Sequence, residues 1–136
     1  MTLIVLDTNV LVSGLLREES IPGMVVDLVV TRKIRLAVDE RIMQEYLDVT
    51  MRHRLGIPCA RRDEVISQFI LESAWVEAHP LPISSERVLD YKDLPFAEVA
   101  VAAKVDALVT GNSRHFAFLA EYGVKVLTPA EFAAKF

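Results

Sequence analysis

This chain carries one cysteine in 136 residues, Cys59, so no internal disulfide can hold it together. A reducing cytoplasm is therefore its expected setting. Although 52% of the residues are apolar, no uninterrupted apolar stretch is long enough to span a bilayer. The basic flank of a secretory signal is missing as well, because Thr2–Leu6 runs straight into the acid Asp7. No repeat, low-complexity tract or linker divides the chain, and its length suits one domain, residues 1–136, whose core needs no staples. Positive charge is not in excess either. The net charge of −4 argues against a protein that coats nucleic acid in general. It leaves room for an enzyme whose acids collect metal ions, since a bound cation reverses the local field. His53, His79 and His115 are far apart with no ligand spacing, which argues against a histidine metal site.

What is present alternates between strand-like and helix-like segments. Thr2–Leu6 reads as a strand buried on both faces, as at the centre of a parallel sheet. A helix is predicted over Asn9–Arg17, and Ser20 with Pro22 starts a second, with Met24, Leu28 and Val29 on one face. Ile34–Val38 reads as a strand, and Asp39 caps a helix running to His53. Gly56-Ile57-Pro58 breaks the chain before an amphipathic helix over Arg61–Ser73. Trp75-Val76-Glu77 reads as a third strand, followed by a surface connection around Pro80 and Pro82. Leu94–Lys104 is apolar almost all round and is expected to be a buried helix. Ala107-Leu108-Val109 is a strand entering Thr110-Gly111-Asn112; a short helix follows, then Lys125-Val126-Leu127 as an edge strand. Thr128-Pro129-Ala130-Glu131 has the form of a capping box. Strand and helix in alternation imply an α/β fold with a central parallel sheet.

In open parallel sheets ligands bind beyond the carboxyl ends of the strands. Asp7, at the end of the first strand, faces either that crevice or the start of the next helix as an N-cap. Glu45 stands in line with the apolar stripe of Ile42 and Val49, either facing inward or snorkelling to water. Asp93, at the start of the buried helix, is a cap, a ligand, or both. Thr110 and Asn112 form either a simple turn or a polar group beside Asp7, if their strands are neighbours. Glu98 is either a supporting acid or a solvated edge, and Asp90 reads as a surface loop acid. Arg114 and His115 are candidates to touch phosphate. Arg52-His53-Arg54 and Arg61-Arg62 form the strongest basic cluster, either a solvated face or a grip on RNA or on an acidic protein segment. Trp75 and the methionines are most simply core. The surplus of apolar residues suggests an interface, with the helices Met24–Val30 and Val65–Leu71 as faces of a homodimer or higher homo-oligomer.

Four segments together resemble the PIN-domain family of nucleases: Leu6-Asp7-Thr8-Asn9-Val10; Glu45 in the helix after the second strand; Asp93 with Phe96-Ala97-Glu98-Val99-Ala100; and Val109-Thr110-Gly111-Asn112-Ser113-Arg114-His115-Phe116. The likeness covers nearly the whole chain and looks closest to the small branch that includes VapC-like toxins of toxin–antitoxin pairs. It implies a Rossmann-like three-layer fold, a divalent metal (Mg²⁺ or Mn²⁺), hydrolysis of RNA phosphodiester bonds, and an antitoxin protein as partner. Carried over by position, it makes Asp7, Glu45 and Asp93 the catalytic, metal-binding acids. Thr8, Asn9, Glu98, Thr110 and Asn112 are secondary candidates that hold carboxylates or waters. Many relatives carry a fourth acid where this chain has Asn112. Hard oxygen ligands of this kind suit Mg²⁺ or Mn²⁺. A phosphatase of the haloacid-dehalogenase type also begins with a strand ending in Asp, but needs a second Asp where this chain has Asn9. A non-catalytic PIN-like module that binds RNA or protein is the remaining alternative; the retained acids speak against it and Asn112 speaks for it.

Overall fold

The computed structural model describes residues 1–83 and 90–135. Five parallel strands form one sheet: β1 (Leu3–Leu6), β2 (Arg35–Val38), β3 (Ala74–Trp75), β4 (Ala107–Val109) and β5 (Val126–Leu127), in the order β3-β2-β1-β4-β5. Helices α1 (Thr8–Leu16), α2 (Ile21–Val30), α3 (Glu40–Thr50), α4 (Cys59–Glu72), α5 (Leu94–Ala103) and α6 (Pro129–Ala133) flank it. This is the α/β architecture with a central parallel sheet expected from the alternation of elements. The strand order reverses between β1 and β4, and that switch point is where a crevice opens in such sheets.

The core lies on both faces of β1, β2 and β4, whose residues from Ile4 to Leu6, Leu36 to Val38 and Ala107 to Val109 are buried. Burial on both faces is why these strands read as continuous apolar runs rather than alternating ones. Tyr46, Phe69 and Phe96 meet in this core, with ring centroids 5.9 and 6.4 Å apart for the two pairs Tyr46 makes. The Tyr46 hydroxyl donates to the carbonyl of Leu6, which ties α3 to the last residue of β1. Ser20 and Asp39 cap α2 and α3, accepting from Gly23 N at 3.1 Å and Ile42 N at 3.0 Å. The capping box at α6 forms in both directions, at 2.9 and 3.1 Å. Close approach of α1 and α2 depends on Gly14, where a Cβ would lie 2.7 Å from the Val26 side chain. Among the described residues no helix is long and apolar enough to cross a membrane.

Several expectations need correction. The buried face of α2 is Val25, Val26 and Val29, while Met24 is 47% exposed. Ser20 and Pro22 set the start of that helix, and its side packed on α1 brings Val26 against Gly14. Met1, Met51 and Trp75 are also exposed, and Met43 alone among the methionines lies in the core. Trp75 is on the sheet-edge strand β3, where no further strand among the described residues covers it. The predicted helix to His53 ends at Thr50, and His53–Leu55 forms a separate 3-10 turn closed by Gly56 at φ 67°. The short helix after Asn112 is a 3-10 helix, Ser113–Tyr122.

Candidate active site

The local backbone decides where the first acid points. Asp7 N donates to Val109 O at 2.9 Å, so the β1–β4 ladder runs one residue past the strand. Its own carbonyl then accepts from Val10 N at 3.0 Å, beginning α1. The carboxylate makes no cap hydrogen bond. Instead it accepts a 2.7 Å hydrogen bond from the hydroxyl of Thr110, which is fully buried at the end of β4. The same hydroxyl accepts from Asn112 N at 3.0 Å, so the turn after β4 and the acid after β1 share one atom. Thr110 N is held in turn by Leu127 O at 2.9 Å.

Glu45 arrives from α3. Ile42, Met43, Tyr46 and Thr50 bury one face of that helix, which leaves Glu45 and Val49 along its border, with Arg52 just past its end. The Glu45 carboxylate accepts from the hydroxyl of Thr8, the residue after Asp7. Asp93 sits at the N-terminus of α5, but its side chain does not cap that helix. Its Oδ2 lies 2.9 Å from His115 Nδ1. His115 is positioned because its amide bonds Asn112 O at 2.9 Å, opening the 3-10 helix that buries Phe116, Phe118 and Leu119.

Asp7, Glu45 and Asp93 thus line one cavity of about 220 Å³ together with Thr8, Asn9, Val49, Arg52, Asp90, Lys92, Asn112 and His115. The cavity opens at the carboxyl ends of β1 and β4. Among the described residues, the group whose ligand atoms all lie within 4.8 Å of one another is Asp90, Asp93 and His115. Asp7 and Glu45 complete the wall outside that tight group, each turned toward a threonine hydroxyl. In the sequence Asp90 reads as a surface loop acid and the histidines lack ligand spacing, and the fold brings Asp90 and His115 onto Asp93. Their signal in the sequence was spacing: Asp90 precedes Asp93 by three residues and His115 follows Asn112 by three.

Electrostatics set this cavity apart. Burial pushes the Asp7 carboxyl up to about 6, with the Asp93 and Glu45 charges adding to the rise and hydrogen bonds from Thr110 and Thr8 opposing it. Burial also raises Asp93, against the hydrogen bond from His115, with Asp90 and Glu45 pushing the same way as burial. Carboxylates gathered in this way are unfavourable while no cation is among them. Hard oxygen donors with one imidazole suit a divalent ion such as Mg²⁺ or Mn²⁺, so the residues present fit one.

Other candidates lie elsewhere. Glu98 is buried but does not line the cavity; Arg41 Nη1 pairs with it at 2.7 Å, and Arg41 Nη2 with Asp39 at 2.8 Å. Arg61 is held by Glu18 and Asp27, and Arg62 by Asp63, so that half of the basic cluster is built into the surface. Asn9 and Asn112 are exposed at the cavity, and Arg114 is exposed outside it. A larger concavity of about 340 Å³, at the opposite end of the sheet beside Ile34 and Arg35, holds one acid, Glu72, and no cluster.

The sequence of a known family matches residues 3–114, and that family is described as the PIN domain. The chain belongs to the PIN-domain family. PIN domains are usually nucleases, and PIN nucleases typically use divalent metals. The match takes in β1 through the Thr110-Gly111-Asn112 turn, so every acid lining the cavity falls within the PIN region. A search of curated proteins finds no match.

Proposed function

We propose that this PIN domain is a metal-dependent endoribonuclease in which Asp7, Glu45 and Asp93 are the catalytic, metal-holding acids. The observation that carries the reading is the convergence of these acids, from the ends of β1, α3 and the start of α5, on one cavity at the switch point of the sheet. A divalent cation held there supplies charge neutralisation on the phosphate oxygens and an acidified water. Thr110 and Thr8 fix the Asp7 and Glu45 carboxylates, and His115 fixes the rotamer of Asp93. Arg52 and Lys92, at the rim of the same cavity, meet the flanking phosphates of the RNA. Asn112 contributes an amide oxygen without a charge, so the site binds its ion weakly until RNA adds phosphate oxygens.

The same reading makes the protein a cytoplasmic toxin of a toxin–antitoxin pair, with an antitoxin protein as partner. Exposed Leu16, Ile21 and Met24 around the start of α2, and Ile70, Leu71 and Trp75 near the β3 edge, support association as a homodimer. Light scattering at tens of micromolar (roughly the range in which weak dimers form) tests this; a strict monomer would rule the dimer out. For the activity, purified protein is expected to cut single-stranded RNA with Mg²⁺ or Mn²⁺ and to stop in EDTA. Cleavage that persists in EDTA, or hydrolysis confined to phosphate monoesters, would overturn it.

A further inference from the structure

Beside the acid cavity lies a second concavity of about 580 Å³, walled by Met51, Ile57, Pro58 and Cys59, with Arg52, His53, Arg62 and Asp63 about it. Arg52 lines both. The connection follows from the end of α3: Glu45 and Val49 line the acid cavity from the helix, and Arg52, two residues past its last residue and held by its amide to Val49 O at 3.2 Å, supplies the cation between the two. The two arginines differ in freedom. Arg62 is tied down, its Nε donating to Thr50 Oγ1 at 3.1 Å and its Nη2 to Leu47 O at 3.4 Å, besides its pair with Asp63. Arg52 has an exposed partner, Asp48 of α3, at 3.3 Å. Such exposed pairs contribute little, so the Arg52 guanidinium can exchange Asp48 for a phosphate. The wall opposite is stiff: a 3-10 turn, a left-handed Gly56 and then Pro58 with its fixed φ.

We propose that this concavity seats the nucleotide adjoining the scissile phosphate of a single-stranded RNA, with Arg52 gripping the phosphate between the two cavities. The inference rests on the nuclease reading of the acid site. Met51, 64% exposed, and Ile57 offer an apolar surface to a base face, and Arg52 stands where the backbone must pass, while the lining Arg62 is paired with Asp63. An apolar wall accepts the face of any base, so the seat favours unpaired RNA over duplex while discriminating weakly among bases.

Cys59 provides the test, since it is the one cysteine of the chain and is exposed in this wall. Maleimide alkylation of Cys59 fills the concavity, and Met51→Glu places a negative charge in it. Each is expected to weaken binding of a short fluorescein-labelled single-stranded RNA by roughly tenfold or more, read by anisotropy in an Asp7→Asn background. With Asp7 intact, hydrolysis of bis(p-nitrophenyl) phosphate and the melting temperature should stay as in the untreated protein. Unchanged RNA affinity after both treatments overturns the proposal, as does a loss of small-diester hydrolysis in step with RNA binding. If the untreated protein hydrolyses no phosphodiester, the nuclease reading fails on its own evidence. The RNA seat is then judged by affinity alone.

Discussion

At the start of α5, Asp93 looks into a cavity shared with Asp7, Glu45 and Asp90, whereas a little over one turn further on Glu98 meets the guanidinium of Arg41. Both acids are poorly exposed, at 13% and 11% of the side chain. The difference between the two regions is an arginine paired with the acid. Around Glu98 the charge is balanced within the chain, by an arginine that also serves Asp39, and the result is a brace between α3 and α5. Around Asp7 and Asp93 further acids gather: burial raises both carboxyls, Asp93 and Glu45 add to the rise at Asp7, and Asp90 and Glu45 add to that at Asp93 against the bond from His115. A folded protein keeps such an imbalance where something outside the chain completes it.

The sharpest way to break this comparison is to neutralise one acid in each region. Asp7→Asn and Asp93→Asn should each lower RNA cleavage by at least ~100-fold, beyond what loss of a supporting partner costs. Neither should lower the melting temperature, because each removes one like charge from a crowded group. A large drop in melting temperature, read by calorimetry, would mean that these acids are structural. Arg41→Ala should act in the opposite sense. It leaves Glu98 and Asp39 without their cation and should cost about 1–3 kcal/mol of stability, the lower part of the range for a buried pair because Arg41 is itself 46% exposed. Cleavage per folded molecule should stay unchanged, as checked by urea titration beside an activity assay.

The third test uses pH in the presence of a chelator. The folded Asp7 carboxyl titrates near 6, above its ordinary value of 3.8, so the folded state holds that proton more tightly. Stability from this group is fully present below about pH 4 and is lost as pH rises through about 6. A rise from 3.8 to about 6 sets an upper bound of about 3 kcal/mol. Asp7→Asn should therefore match the wild type in stability at pH 4 and exceed it above pH 6.5, in thermal melts across that range. A difference independent of pH would place the cost elsewhere. The smallest effect is expected at Asn112, which is exposed at the cavity with no helix-cap bond from its side chain. Asn112→Asp adds a charged ligand and should tighten Mn²⁺ binding several-fold without RNA, by titration calorimetry. Equal affinity in the two proteins would make Asn112 a turn residue alone.

Local signals account for much of what was legible in the chain. The apolar runs at Leu3–Leu6 and Ala107–Val109, the caps at Ser20 and Asp39 and the Thr128 box each form where nearest neighbours dictate, and their order implies the parallel sheet. Asp7, Glu45 and Asp93 were legible as candidates because each interrupts or borders an apolar pattern. Residues whose environment comes from another element were harder to read. Trp75 reads as core by composition and is exposed because β3 is an edge; Glu98 reads as either a supporting acid or a solvated edge and is instead buried against Arg41, 57 positions away.

The sequence by itself determined the strands, most helix starts and the alternation that makes a parallel α/β sheet, because these follow from patterns within a few residues. Only the tertiary structure decided which charges meet. The pairing of β1 with β4 puts Thr110 on Asp7 across 103 positions, and the packing of the 3-10 helix puts His115 on Asp93. Charges act through space at a few ångströms, so whether a buried acid becomes part of a brace or of a reactive cavity depends on what the fold sets beside it.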